Sequence, residues 1–147
     1  TLSPWNRQSS ADNAWNSGTE TAPTKTANDP CPSGYRIPTE REIAMLDDGV
    51  TNLNIGNWSE SSSNYSAARV FKSNRNANVR LTFPIAGNRR FDNGALARRG
   101  LEGYYWSSRI LNNRVRHIKI VQDQNTAIED SSFDRDWAFP LRCIAER

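Results

Sequence analysis

Apolar positions in this chain come in short clusters, most of them at a spacing of two, separated by polar stretches. Leu81, Phe83 and Ile85 alternate with Arg80, Thr82 and Pro84, which predicts a half-buried strand. Tyr104-Tyr105-Trp106-Ser107-Ser108 predicts the next. Val115, Ile118, Ile120 and Val121 mark a third, with a bulge between Val115 and Ile118. Thr126, Ala127 and Ile128 mark a fourth, reached through a turn at Asp123-Gln124-Asn125, and Ala138 to Ile144 reads as the last. Gly87-Asn88 and Asp92-Asn93-Gly94 are turn signals. Leu96 and Leu101 pack back, and Gly100 and Gly103 permit close backbone approach.

The clearest helix start in the chain follows Pro38. Thr39-Glu40-Arg41-Glu42 is a capping box, in which Thr39 accepts from the Glu42 N–H and the Glu42 carboxylate reaches back. Ile43, Met45 and Leu46 supply the buried side, and Asp47-Asp48-Gly49 ends the helix after two to three turns, with Gly49 as a left-handed cap. A Pro-bracketed turn, Asp29-Pro30-Cys31-Pro32-Ser33-Gly34, precedes it. Residues 1–29 are polar, with Trp5 and Trp15 as anchors that pin the segment across a domain formed by residues 30–147. Tyr65, Ala68, Val70 and Phe71 form a short packing element, helix or strand. Strands outnumber helices, so the expected class is α+β: one or two short helices on a twisted antiparallel sheet with long polar loops.

Composition sharpens this picture. The chain has 147 residues, enough for one domain with one core. Hydrophobic residues make up only 36%, and the five Trp, five Phe and four Tyr must supply much of the buried area. The net charge of +3 comes from scattered basic residues: Arg89-Arg90 and Arg98-Arg99 are pairs with Asp92 and Glu102 close by, not the clustered basic face that nucleic acid requires. No stretch is apolar enough to span a membrane. Cys31 and Cys143, with a single His117, cannot build a Cys/His zinc site. They are either two buried thiols or a disulfide. The even count and their positions at the two ends of the core favour the disulfide.

Catalytic signatures are missing. Asp130-x-Ser132-x-Asp134 opens like a calcium loop, but Arg135 stands where glycine belongs and Leu141 where the closing Glu belongs. Glu129, Asp130, Asp134 and Asp136 read as solvated acids with Arg135 as their internal partner, not as a buried acid–base pair. His117, between Arg116 and Lys119, reads as exposed on a strand face, with no serine nucleophile motif to accompany it.

Several blocks, taken in order, carry a resemblance. They are Trp5-Asn6-Arg7; Asp29-Pro30-Cys31-Pro32-Ser33-Gly34-Tyr35-Arg36-Ile37-Pro38-Thr39; Leu81-Thr82-Phe83-Pro84-Ile85-Ala86-Gly87-Asn88-Arg89; Gly103-Tyr104-Tyr105-Trp106-Ser107-Ser108; and Phe139-Pro140-Leu141-Arg142-Cys143. Together they resemble the Fibrobacter succinogenes major paralogous domain, a family of Bacteroidetes-type surface proteins. That family is similar to the C-type lectin-like fold and to the ligand-binding domains diversified by retroelements. The resemblance implies a non-enzymatic ligand-binding domain on an extracellular, surface-exposed lipoprotein, adhesin or pilus protein, with no cofactor. In the diversified relatives the variable residues lie between the Tyr-Trp-Ser-Ser block and the last strand, here residues 109–137.

The expected recognition surface therefore comprises Arg109, Leu111, Asn112, Arg114, Arg116, His117 and Lys119 on one side, and Asp130, Ser132, Phe133, Asp134, Arg135, Asp136 and Trp137 on the other. Aromatic and Arg residues dominate binding hot spots, which makes Phe133 and Trp137 candidates for the apolar anchors, with a place in the core as their other reading. A protein ligand is favoured over a glycan, because the Glu-Pro-Asn, Gln-Pro-Asp and Trp-Asn-Asp motifs of calcium-dependent lectins are missing. The alternatives are a structural pilus or surface-protein subunit, and a diverged enzyme of the formylglycine-generating type.

Overall fold

The computed structural model describes residues 11–112, 114–124, 127–129 and 135–146. It is a mixed α+β fold with one short helix and antiparallel sheets. The elements in chain order are β1 (Tyr35–Arg36), α1 (Glu40–Ala44) continued by a 3-10 turn at Met45–Asp47, β2 (Val50–Ile55), β3 (Ala68–Ser73), β4 (Arg80–Pro84), β5 (Asn88–Arg89), β6 (Leu96–Ala97), β7 (Glu102–Leu111), β8 (Arg114–Val121), β9 (Ala127–Glu129) and β10 (Ile144–Ala145).

The strands form two three-stranded sheets, β2-β3-β4 and β7-β8-β9, and two short ribbons, β5-β6 and β1-β10. One continuous sheet was the expectation; the chain instead leaves each sheet after two or three strands. At Ala138–Ile144 the expected last strand is an extended segment that changes partner as it goes. Ala138 bridges Arg89, the carbonyl of Pro140 accepts from Trp106 N–H at 3.3 Å, and only Ile144–Ala145 pairs as a strand, with β1. Pro140 has no N–H to donate to a ladder, so a continuous central strand is excluded there.

The central feature is the β7–β8 pair, whose opposite faces enter two cores. Tyr105, Ile118 and Ile120 face a cluster with Ile43, Phe71, Phe83 and Ile85. Tyr104, Trp106 and Val115 face a second cluster with Phe139, against which Trp15, Ile110, Trp137 and Leu141 pack. Within the first cluster the Phe83 ring meets Phe71 and Tyr105 edge-on, with centroids 5.4 and 4.8 Å away. This is the favoured arrangement for aromatic quadrupoles and substitutes for scarce aliphatic packing. Trp15 anchors the N-terminal segment as expected; Trp5 lies outside the described residues.

The ladder is irregular, but not where the sequence suggests. β8 is continuous, and the register shift falls on β7, between Trp106 and Ile110. The extra residues are used: Ser107 Oγ donates to the Arg116 carbonyl at 2.8 Å, and Ser108 N–H donates to the Pro38 carbonyl at 2.8 Å. The bulge thus ties the sheet to the segment that leads into α1, a typical use of an extra strand residue.

The capping box forms: Glu42 N–H donates to Thr39 Oγ1 at 3.2 Å, and Thr39 N–H donates to Glu42 Oε2 at 2.9 Å. The Glu42 carboxylate also receives both guanidinium nitrogens of Arg36, at 2.7 and 2.6 Å. That fork holds Glu42 below its usual carboxylate value and raises Arg36. Gly49, at φ 64°, takes the left-handed conformation after the 3-10 turn. Ile43 is buried, whereas Met45, expected inside, is 57% exposed, because the tightening to a 3-10 turn rotates it off the inner face. Gly100 (φ 81°) makes the expected close approach; a Cβ there would lie 2.5 Å from the Ser59 carbonyl oxygen.

Cys31 and Cys143 form a disulfide across 112 positions. It joins the turn before β1 to the segment before β10, so it reinforces the ribbon that brings both ends of the domain together. Beside it the buried Asp29 carboxylate accepts from Cys31 N–H (2.8 Å), Ile37 N–H (2.9 Å) and Lys25 Nζ (2.8 Å). Charge-assisted bonds of this kind compensate the carboxylate's desolvation.

Replacing both cysteines with Ser lowers the unfolding free energy by about 5 kcal/mol, the loop-closure value for a crosslink of this span, measured by urea denaturation without reductant. Because the folded Glu42 is depressed below its ordinary value of 4.5, its contribution is complete above that pH and is lost as pH falls through the folded value. Glu42→Gln therefore flattens the acid limb of the melting-temperature profile; an unchanged limb would show that Glu42 carries none of it.

Candidate functional site

The expected recognition surface splits when its residues are placed. β7 and β8 are joined by a tight hairpin in which Leu111 pairs with Arg114 and Asn112 takes φ 54°. Positive φ is what such tight hairpins demand, and Asn tolerates it well. At this tip Leu111, Asn112 and Arg114 are exposed.

Below the tip, the two strand arginines turn to α1. Arg109 Nη1 donates to Glu40 Oε2 at 2.9 Å, while Arg116 Nε and Nη2 donate to Glu40 Oε1 at 3.0 and 2.7 Å. Glu40 opens α1, where an acid also complements the helix dipole. Its side chain is only 14% exposed, that of Arg116 15% and that of Arg109 38%. The two arginines thus clamp the helix to the sheet, and only Arg109 keeps substantial solvent contact.

His117, expected on an exposed strand face, is buried. It has no exposed surface, and its ring lies 5.0 Å from Phe139, 5.9 Å from Tyr104 and 6.2 Å from Trp106. The reason is the double burial of β8: both faces of that strand are inside, so alternation does not bring position 117 to solvent. In this fold His117 belongs to the aromatic core and cannot touch a ligand. Lys119 is half-buried.

Of the second half, Asp130, Ser132, Phe133 and Asp134 lie outside the described residues. Arg135 pairs with Asp12 of the N-terminal segment rather than serving only the acidic stretch around it. Asp136 and Trp137 are half-buried, and the Trp137 ring lies 5.4 Å from Phe91. Phe91, 42% exposed in the β5–β6 turn, is not among the sequence-predicted contacts, because the turn signal at Asp92-Asn93-Gly94 says nothing of the aromatic beside it. Trp137 also packs on the second core, so it is part anchor and part scaffold.

A cavity of about 290 Å³ lies under α1, lined mainly by apolar side chains of α1, β4 and β7–β8 and by the Arg142–Ala145 segment. Tyr105, one of its walls, donates its hydroxyl to the Pro84 carbonyl at 2.7 Å. Burial pushes that phenol up to about 12, so it stays neutral. Both cysteines are taken by the disulfide. Among the described residues no three His, Cys, Asp or Glu side chains converge to hold a metal ion, and no helix is long and apolar enough to cross a membrane.

No family model matches the chain, and comparisons with curated proteins and with solved structures find no significant match.

The Glu40 clamp makes a testable asymmetry. Arg116→Ala lowers stability by about 1–3 kcal/mol, as expected for a shielded charge-assisted pair. Arg109→Ala costs about 1 kcal/mol or less, because its exposed charge is screened. Glu40→Gln approaches the larger value. Urea unfolding of the three variants checks this ordering.

Proposed function

We propose that the chain is a non-enzymatic ligand-binding domain of C-type lectin-like fold, similar to the Fibrobacter succinogenes major paralogous domain and displayed on a bacterial surface or pilus protein. The observation that carries the proposal is the exposed tip of Leu111, Asn112 and Arg114 on a strand pair whose central residues enter a core on each face. A tip so placed can meet a partner without disturbing the core, which is how scaffolds present recognition loops. The Phe91–Trp137 pair supplies a second, aromatic contact area. The disulfide fits an oxidising, extracytoplasmic setting. The favoured ligand is a protein: the exposed contacts combine Arg114 with apolar Leu111 and Phe91, and the residues of a calcium-dependent sugar site are not evident in the sequence.

The test is a binding screen against host and bacterial surface proteins and a glycan panel, with and without calcium. A combined Leu111→Ala, Arg114→Ala variant and a separate Phe91→Ala variant are run beside the native chain. Loss of about tenfold or more in affinity with an unchanged melting temperature supports recognition, since hot-spot truncations cost that much. A partner held equally by both folded variants excludes these two contact areas. Assembly without any ligand, unaffected by the substitutions, favours a structural subunit.

A further inference from the structure

The cavity beneath α1 has a chemistry distinct from the hairpin tip. Its floor is apolar: Ile43 and Leu46 from the helix side, Leu81 and Phe83 from β4, Tyr105 and Ile118 from β7–β8. One cation borders it. Arg142 is exposed as a residue, yet its guanidinium carbon lies 5.6 Å from the centre of the Phe83 ring, so its charge sits where the apolar floor meets solvent. Among the described residues Arg142 has this ring contact and no carboxylate partner.

The carboxylate and the phenol at the cavity are committed. The Glu42 carboxylate is matched by the Arg36 fork and the Thr39 N–H, and the Tyr105 hydroxyl donates to Pro84. Of the charged groups that line the cavity, Arg142 is therefore the one left to recognise a ligand.

We propose that this cavity binds a small, free carboxylic acid with an apolar body, the carboxylate on Arg142 and the hydrocarbon against Leu46, Leu81 and the Phe83 ring. Each part of that description has its own source. At about 290 Å³ the space is at the small end of ligand pockets, which favours a small molecule over a peptide segment. The apolar lining selects a hydrocarbon or aryl group. A guanidinium at a partly desolvated rim selects a carboxylate and discriminates against an ammonium group, for which no uncommitted acid is present.

The test uses octanoate and phenylacetate as probes, with phenylacetamide as the neutral counterpart of the second and phenethylamine as its cationic one. Titration calorimetry reads affinity, and amide chemical shifts read location. The native protein binds both carboxylates saturably, the amide about tenfold more weakly as expected for loss of one charge-assisted contact, and the amine not measurably. Shifts concentrate at Ile43, Leu81 and Ile118. Arg142→Gln, at an exposed position and so expected to fold, brings phenylacetate down to the affinity of the amide and leaves the amide unchanged. Leu46→Trp, which fills the space from the helix side, abolishes binding of all probes at native melting temperature. The proposal is overturned by absence of saturable carboxylate binding to the folded native protein, by unaltered phenylacetate affinity in Arg142→Gln, or by shifts confined to residues outside the cavity.

Discussion

The structure depends on the antiparallel pairing of β7 with β8, because this one ladder separates two hydrophobic clusters and serves both. Tyr105 beside Ile118 looks into one core, and Trp106 beside His117 looks into the other. A pair of strands wet on one side could be lost to a slip of one residue at modest cost. Here a slip would exchange the contents of two cores, so burial on both sides specifies the register strongly. The register shift in β7 is compatible with this because it falls between two paired stretches, after the residues that enter the cores, and its extra N–H and hydroxyl groups find the Pro38 and Arg116 carbonyls.

A chain with few aliphatic residues must hold its pieces together by other means, and it does so with charged groups placed at seams. Asp29 gathers the turn that carries Cys31. Glu42 joins β1 to α1 through Arg36, and Glu40 joins α1 to β7 and β8 through Arg109 and Arg116. Arg69, nearly fully buried in β3, donates to Asn54 (2.6 Å) and to the carbonyls of Val121 (2.7 Å) and Gln124 (3.2 Å), linking the two larger sheets. Such pairs contribute little net stability when compared with apolar packing, but breaking one partner leaves a desolvated charge, so they hold the small sheets in one arrangement.

This use of charge also limits the surface available for recognition. Arginines that read as contact residues, Arg109, Arg116 and Arg135, have acidic partners in α1 or the N-terminal segment. Among the described residues, the hairpin tip, the Phe91 turn and the rim of the cavity at Arg142 stay open. The tip and the cavity differ in kind: one is a convex polar projection suited to a macromolecule, the other an apolar recess suited to a small anion.

Local signals were legible in the sequence wherever one short stretch decides the conformation. The capping box at Thr39 and Glu42, the left-handed Gly49, the alternation of Leu81, Phe83 and Ile85, and the turn at Asp92-Asn93-Gly94 depend on neighbours a few residues away, and the structure carries them. The disulfide was favoured by an even cysteine count and is present. Met45 and His117 were misjudged because their burial depends on what packs on the strand or helix, not on spacing. Period two reports which residues share a face, but not whether the other face is also covered. Only the tertiary structure decided that Glu40 would meet Arg109 and Arg116 from 69 and 76 positions away, that Arg69 would reach the turn after β8, and that α1, β4 and Arg142 would enclose one cavity. Ion pairs and cavities are made by distant segments brought together, and no local pattern encodes their meeting.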